Sequence, residues 1–224
     1  ESSPTNALPI PITVSFSKDV TGFEQGDVTI GNGSISNFSG SGSSYSFDIT
    51  PVIDGAVTVD IPDTVAYDDE DNGNLAAQQF SITYDGTSPT VSITSSETSP
   101  SETSPIPITV TFSENVTGFS LNDLSVSNGS VYDLSGSGSS YTLNLAPDGD
   151  GEVTLDLASG VVQDAAGNGN TVASQFSIFY DSNIFTDNFD NITGWTNTTN
   201  STFSNEEWYI DASGYSGSAA RSDV

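Results

Sequence analysis

Apolar and polar residues alternate along most of the chain, and a period of two is the pattern of a β-strand with one buried face. The alternation is clear at Ile106, Ile108 and Val110. Segments rich in Gly, Asn, Asp and Ser, which supply turn geometry, separate the alternating runs. Because no apolar period of about 3.6 residues occurs, we predict no helix and an all-β fold. In the second half of the chain the predicted strands are 90–94, 106–113, 123–128, 130–135, 139–146, 151–158 and 174–181.

The same pattern occurs twice, 96 residues apart and without a gap. Residues 9–17 return at 105–113 with one conservative change, and matches continue to the end of each copy. Seven short alternating strands in about 95 residues match an immunoglobulin-like β-sandwich. We therefore predict two tandem seven-strand immunoglobulin-like β-sandwiches and a partial β segment, at 1–85, 86–181 and 182–224.

The first copy has no counterpart of the strand that opens the second copy. That strand is predicted within Pro-Thr-Val-Ser-Ile-Thr at 89–94, and nothing before Glu1 supplies its equivalent. With no initiator Met, and with its last residue at Val224 in mid-pattern, the chain is expected to be an excised fragment. We expect the first sheet to have an unprotected edge, or an edge covered by another chain in an edge-paired or strand-exchanged dimer.

The charge balance excludes several classes of function. The chain has thirty acidic residues but only one Lys and one Arg, which gives a formal net charge of −28. Such a chain repels nucleic acid and anionic lipid, and no apolar run approaches the roughly 20 residues that span a bilayer. It also contains no Cys and no His, which removes thiolate chemistry, the commonest general base and the commonest zinc ligand. The acids lie on turns without an aromatic groove, so we predict that the chain is not an enzyme.

Several repeated motifs resemble those of bacterial Ig-like repeats. They are Pro-Ile-x-Ile-Thr-Val-Thr-Phe-Ser-Glu-x-Val-Thr-Gly-Phe from Pro105, Asn-Gly-Ser from Asn128, Gly-Ser-Gly-x-x-Tyr up to Tyr141, and Asp-Ala-Ala-Gly-Asn-Gly-Asn from Asp164. Such repeats form long arrays in adhesins and secreted multidomain proteins. The resemblance implies a spacer or stalk at the cell surface or in a secreted protein. In several such families it also implies calcium at the domain junctions.

Acidic residues are predicted to meet where the two sandwiches join. In a seven-strand sandwich of this order, the loop after the second strand and the loop before the last strand lie at the pole where the chain enters. These loops hold Glu114, Asp164 and Asn168, and the preceding sandwich ends at Asp85. Carboxylate and amide oxygens without His or Cys favour Ca²⁺ over zinc or copper. The alternative is that these are solvated turn residues, since Asp and Asn favour turns.

The first copy departs from this pattern. Lys18 stands where the second copy has Glu114, and four consecutive acids run from Asp68 to Asp71. Asp68 and Asp71 are candidate ligands for a second metal ion. A salt bridge from Lys18 to this acidic loop is the competing interpretation, and both remain open at this point.

Composition changes in the last segment, which contains both tryptophans, Trp195 and Trp208. Its aromatic and Gly-Ser motifs resemble the opening of jelly-roll modules that are appended to secreted bacterial proteins and often bind carbohydrate. The favoured hypothesis is a non-enzymatic, calcium-stiffened spacer of a bacterial surface adhesin, which contacts neighbouring domains of its parent chain. The alternative is a carbohydrate-binding or accessory region of a secreted multidomain hydrolase, with a glycan or surface ligand as partner.

Overall fold

The computed structural model describes residues 1–182 and, beyond them, the backbone of two short paired strands. The predicted jelly-roll start falls outside the described residues from position 183 onward. Both sandwiches belong to one compact unit of the chain, Glu1–Ile184. Within the described part of the chain, no helix has the length and apolar character needed to cross a bilayer.

Strands dominate both repeats, and the predicted all-β, immunoglobulin-like fold is confirmed. The strands of the first repeat are β1 (Ile10–Val20), β2 (Thr29–Gly31), β3 (Gly33–Pro51), β4 (Gly55–Asp60) and β5 (Phe80–Tyr84). Those of the second are β6 (Val91–Ser95), β7 (Ile106–Val116), β8 (Leu124–Ser127), β9 (Gly129–Pro147), β10 (Gly151–Leu157) and β11 (Phe176–Tyr180). The two short strands beyond them are β12 (Glu206–Glu207) and β13 (Ala220–Arg221). A short 3-10 turn precedes β2 at Gln25–Asp27 and β8 at Leu121–Asp123.

The long strand β9 contains two of the predicted strands, 130–135 and 139–146. Asn144 Nδ2 donates to Asp133 Oδ2 at 3.5 Å, so the chain turns back on itself between them. Gly136 takes a φ of 110°, which favours glycine, and a Cβ there would lie 2.3 Å from the Ser140 carbonyl oxygen. Counted as two halves, β9 brings the second repeat to seven strands, the other five being β6, β7, β8, β10 and β11.

Each repeat buries its own core between two sheets. In the second repeat the sheets have the orders β6-β7-β9 and β8-β10-β11, and in the first β1-β3 and β2-β4-β5. Alternate residues of each strand face inward, and burying each aliphatic side chain contributes about 1.5–3 kcal/mol. The fully buried side chains include Ile10, Phe47, Ile49 and Val57 in the first repeat and Ile106, Ile108, Leu145 and Leu155 in the second.

The two repeats differ at one sheet edge. In the second repeat β6 pairs with β7 and completes a three-stranded sheet, whereas the corresponding sheet of the first repeat contains β1 and β3. Among the described residues no strand pairs with the other edge of β1, and Ile12, Val14 and Phe16 are half-buried. The counterparts of these side chains on β7 are buried. This edge is therefore the place where the first repeat is least complete.

Candidate metal centre at the junction of the repeats

Asp85 is held in place by the first repeat. It follows the last residue of β5, and its backbone N–H donates to the Thr5 carbonyl oxygen at 2.9 Å. Thr5 in turn donates its N–H to the Thr83 carbonyl oxygen at 3.0 Å, so the N-terminal segment runs beside β5. The first sandwich therefore holds the backbone of Asp85 in place.

Glu114 and Asp164 belong to the second repeat. Glu114 lies near the end of β7, and Asp164 lies in the loop between β10 and β11. Paired backbone hydrogen bonds between Thr117 and Gln163, of 2.8 and 3.3 Å, fasten that loop to the residue after β7. The loop therefore carries Asp164 to the same pole as Glu114.

The structure brings these three predicted residues together across the junction. One carboxylate oxygen from each of Asp85, Glu114 and Asp164 lies within 4.8 Å of the others. Asp85 and Glu114 are half-buried, and Asp164 is buried. Two oxygens that bind one Ca²⁺ at 2.3–2.6 Å are at most about 4.6–5.2 Å apart, so this spacing fits a shared calcium ion. Their role as ligands stays a prediction.

Asp164 also organises its own loop. Its Oδ1 accepts hydrogen bonds from the backbone N–H groups of Ala166, Gly167 and Asn168, at 2.9, 2.7 and 2.8 Å. An acidic side chain that accepts three N–H donors ties the loop into a compact turn, which explains why this loop presents a fixed carboxylate.

Asn168, the fourth predicted residue of the site, bridges the two repeats. Its Nδ2 donates to Asp164 Oδ2 at 2.9 Å and to the Asp85 carbonyl oxygen at 2.8 Å. Its Oδ1 accepts a hydrogen bond from Asn6 Nδ2 at 3.2 Å. In this arrangement the amide nitrogen faces the acids, so Asn168 acts on the junction as a hydrogen-bond donor, and its role as a calcium ligand stays a prediction.

The cluster lacks a positive partner within residues 1–182. The lysine of this part of the chain, Lys18, contacts acids of the first repeat instead. Burial raises the pKa of Glu114, and the negative charges of Asp164, Asp85 and Asp54 raise it further. The folded junction thus disfavours the ionised form of Glu114, which a bound cation would reverse.

Asp54 is a junction residue that the sequence reasoning missed. Its Oδ1 accepts the backbone N–H of Gly86 at 2.7 Å, and its Oδ2 accepts the hydroxyl of Thr87. These hydrogen bonds, with that of Gly86 first, lower the pKa of Asp54. The second repeat has the equivalent hydrogen bond, in which Asp150 Oδ1 accepts the backbone N–H of Ser182 at 2.8 Å. The sequence did contain a signal for this residue. In both copies an Asp directly precedes the Gly that begins the equivalent strand, Asp54 before β4 and Asp150 before β10.

In the first repeat, Lys18 forms salt bridges with the acidic loop. Its Nζ lies 2.7 Å from Asp68 Oδ2 and 3.1 Å from Glu70 Oε2, and the Asp68 side chain is only 7% exposed. The hydrogen bond from Lys18 is the first cause of the strongly lowered pKa of Asp68. The salt bridge that competed with a metal ion is thus present. The carboxylates that lie together are Asp68, Asp69 and Glu70, and the predicted ligand Asp71 is not among them.

Both sandwiches match a known protein family over almost their full length. A family model described as a bacterial Ig-like domain matches the chain twice, over residues 3–84 and 85–180. These two segments cover well over half of the chain and meet at Asp85. A search of curated proteins finds no match.

Proposed function

Because the chain belongs to the bacterial Ig-like domain family, we propose that it is a non-enzymatic extracellular spacer whose repeats are held at a fixed angle by Ca²⁺. Domains of this family are usually extracellular and typically non-catalytic, and two of them follow each other here without a gap. We place the spacer in the stalk of a bacterial surface adhesin. The strongly negative surface keeps such a stalk soluble and prevents its copies from associating.

One observation carries the calcium proposal. Asp85 is fixed to the first repeat, whereas Glu114 and Asp164 are fixed to the second, and their oxygens lie within 4.8 Å of one another. An ion bound by all three would join the two repeats directly. Without it, three carboxylates at this distance repel one another, and this repulsion favours a more open junction. The medium outside a cell supplies the millimolar calcium that a site of this kind needs.

The proposal is tested by titrating the full chain with Ca²⁺ in a calorimeter and by melting it with calcium or chelator. We expect a Kd on the order of 10⁻⁴–10⁻³ M, as in other extracellular calcium modules. At a calcium concentration a hundred times the Kd, binding stabilises the folded chain by about 2.7 kcal/mol.

Asp85→Asn is the test variant because it removes one charge from the junction and keeps the side-chain shape. We expect it to weaken calcium binding about tenfold or more, since each carboxylate of a small site contributes strongly to affinity. Asp181→Asn is the matched control, because Asp181 follows the second repeat as Asp85 follows the first. Absence of binding heat together with an unchanged melting temperature in the parent chain would reject the calcium proposal.

A further inference from the structure

The junction of the two repeats contains a side-chain amide that can react with its own backbone. The chain has four Asn-Gly pairs, which begin at Asn32, Asn72, Asn128 and Asn168. In such a pair the backbone nitrogen of the Gly can attack the side-chain carbonyl carbon of the Asn, because no Cβ on the second residue hinders the approach. Asn168 is the first residue of one of these pairs and contacts both repeats.

Close packing requires the Gly that follows Asn168. A Cβ at position 169 would come within 3.0 Å of the Gly160 Cα. The first repeat has the same constraint at Gly73, where a Cβ would lie 2.9 Å from Thr64 Cγ2. A larger residue after the Asn would disturb the loop in either repeat. The reactive pair therefore follows from the packing of this loop.

Hydrogen bonds hold the Asn168 amide against this reaction. Ring closure brings the side-chain carbonyl carbon onto the Gly169 nitrogen, a movement that the hydrogen bonds of the amide oppose. Nδ2 donates to Asp164 Oδ2 at 2.9 Å and to the Asp85 carbonyl oxygen at 2.8 Å, and Oδ1 accepts from Asn6 Nδ2 at 3.2 Å. Asp85 and Asn6 belong to the first repeat. Two of these three hydrogen bonds are therefore lost when the repeats separate.

Asn72 occupies the same place in the first repeat but is held differently. Its Nδ2 donates to Asp68 and Glu70, which lie in its own loop. Asn72 is exposed, whereas Asn168 is only 9% exposed. Opening of the junction therefore changes the hydrogen bonding of Asn168 and leaves that of Asn72 as it is.

We propose that Asn168 is a modification site, which deamidates when the two repeats separate and is protected while they are joined. The Gly169 nitrogen forms a bond to the Asn168 side-chain carbonyl carbon, and the amide nitrogen leaves as ammonia with the proton that the Gly169 nitrogen gives up. Water then opens the five-membered imide at one of its two carbonyl carbons and yields aspartate or isoaspartate. Water is the one co-reactant.

The product changes the charge of the junction. It replaces the two N–H donors of Nδ2 by a carboxylate beside Asp85 and Asp164, so the bridge between the repeats is lost and a negative charge is added. Without a cation, this charge disfavours the closed junction from which the modification is excluded. Asn168→Asp, which reproduces the aspartate product, should therefore melt at a lower temperature than the parent in chelator. An equal melting temperature would contradict this consequence.

The effect of calcium on the reaction rests on the proposed calcium site. If deamidation proceeds from the open junction, its rate follows the open population, which calcium at ten times the Kd lowers about tenfold. The experiment incubates the full chain in a mildly alkaline buffer with calcium or with chelator, digests samples with chymotrypsin and locates each deamidated Asn by mass spectrometry. We expect Asn168 to convert about tenfold more slowly in calcium. Asn72, measured in the same samples, is the matched control and should convert at equal rates in both buffers.

Asn6→Ala tests the site without calcium. It removes the hydrogen bond that the first repeat donates to Asn168 Oδ1. In chelator we expect Asn168 to deamidate roughly threefold faster or more, the scale of one hydrogen bond, and Asn72 to keep its rate. Glu102→Ala is the control, because Glu102 is the counterpart of Asn6 in the second repeat, and it should leave both rates unchanged.

The deamidation site and the calcium site can fail separately. An Asn168 that keeps its amide in chelator while Asn72 deamidates overturns the proposal, and so does an Asn168 rate that Asn6→Ala leaves unchanged. Equal Asn168 rates in calcium and in chelator, together with acceleration by Asn6→Ala, support the deamidation site and count against the calcium site.

Discussion

Glu114 and Lys18 occupy the same position in the two repeats, and each lies beside the acidic loop of its own repeat. In the first repeat the ammonium group of Lys18 contacts Asp68, the counterpart of Asp164, and neutralises part of the loop charge. In the second repeat Glu114 adds a negative charge at that point, and its pKa is raised. The same position thus supplies a positive partner for the loop in the first repeat and a further negative charge in the second.

Glu114→Gln should have opposite effects in chelator and in calcium. In chelator it removes the repulsion among the junction carboxylates, and we expect the chain to become more stable by up to about 1 kcal/mol, the scale of a partly exposed charge pair. In calcium it removes a proposed ligand, so calcium affinity should fall. Thermal melts of both proteins in both buffers measure the two effects.

The pH dependence of this variant follows from the raised pKa. Ionisation of Glu114 costs more in the folded chain than in the unfolded chain, so its contribution is most favourable at low pH and is lost as the pH rises through the folded pKa. In chelator, the advantage of Glu114→Gln over the parent should therefore grow between about pH 4 and pH 7. Glu102→Gln, which removes an exposed acid, is the control and should show no such growth. An advantage that stays constant with pH would contradict this account.

At the scale of elements, the linker between the sandwiches is fastened by a turn and not by a strand. Asp54 lies in the turn before β4 and holds the N–H of Gly86 and the hydroxyl of Thr87. Asp54→Ala should free the start of the linker, so the amides of Gly86 and Thr87 should exchange faster with solvent. Because the pKa of Asp54 is lowered in the folded chain, the parent should lose the same protection as the pH falls through that lowered pKa.

The second repeat provides the control for this linker prediction. Asp150→Ala removes the corresponding anchor of Ser182, and it should leave exchange at Gly86 and Thr87 unchanged. Hydrogen exchange followed by mass spectrometry resolves the two segments. Equal exchange at Gly86 in the parent and in Asp54→Ala would show that the linker is held by other contacts.

The elements that a period of two predicts are those whose side chains face a core. The strands from β6 to β11 follow this period, because burial on one face selects apolar residues at alternate positions. The convergence of Asp85, Glu114 and Asp164 could also be predicted, since strand order fixes which loops share a pole. Asp54 could not be distinguished from other turn acids, because its role depends on a linker that is 32 residues away. Asp71 has a left-handed backbone with a φ of 60°, which an Asp within a run of four acids does not indicate.

At the scale of the whole molecule, two kinds of cation effect must be separated. A chain with a formal charge of −28 repels itself, and any salt weakens that repulsion. At an ionic strength of about 0.15 M the Debye length is about 8 Å, which exceeds the 4.8 Å spacing of the junction carboxylates. Monovalent salt therefore screens charges on the outer surfaces of the repeats but screens this cluster poorly. A divalent ion bound among the three carboxylates would remove their mutual repulsion.

This difference predicts how the angle between the two repeats should vary. The chain contains no cysteine, so Ser41→Cys and Ser137→Cys, at matching exposed positions of the two repeats, accept one spin label each. In chelator the label-to-label distance distribution should be broad, and NaCl should leave it broad. Calcium at the same ionic strength should narrow it, because under the calcium proposal an ion would join Asp85 of the first repeat to Glu114 and Asp164 of the second. Adding Asp85→Asn should restore the broad distribution in calcium, and equal narrowing by NaCl would show that screening alone sets the angle.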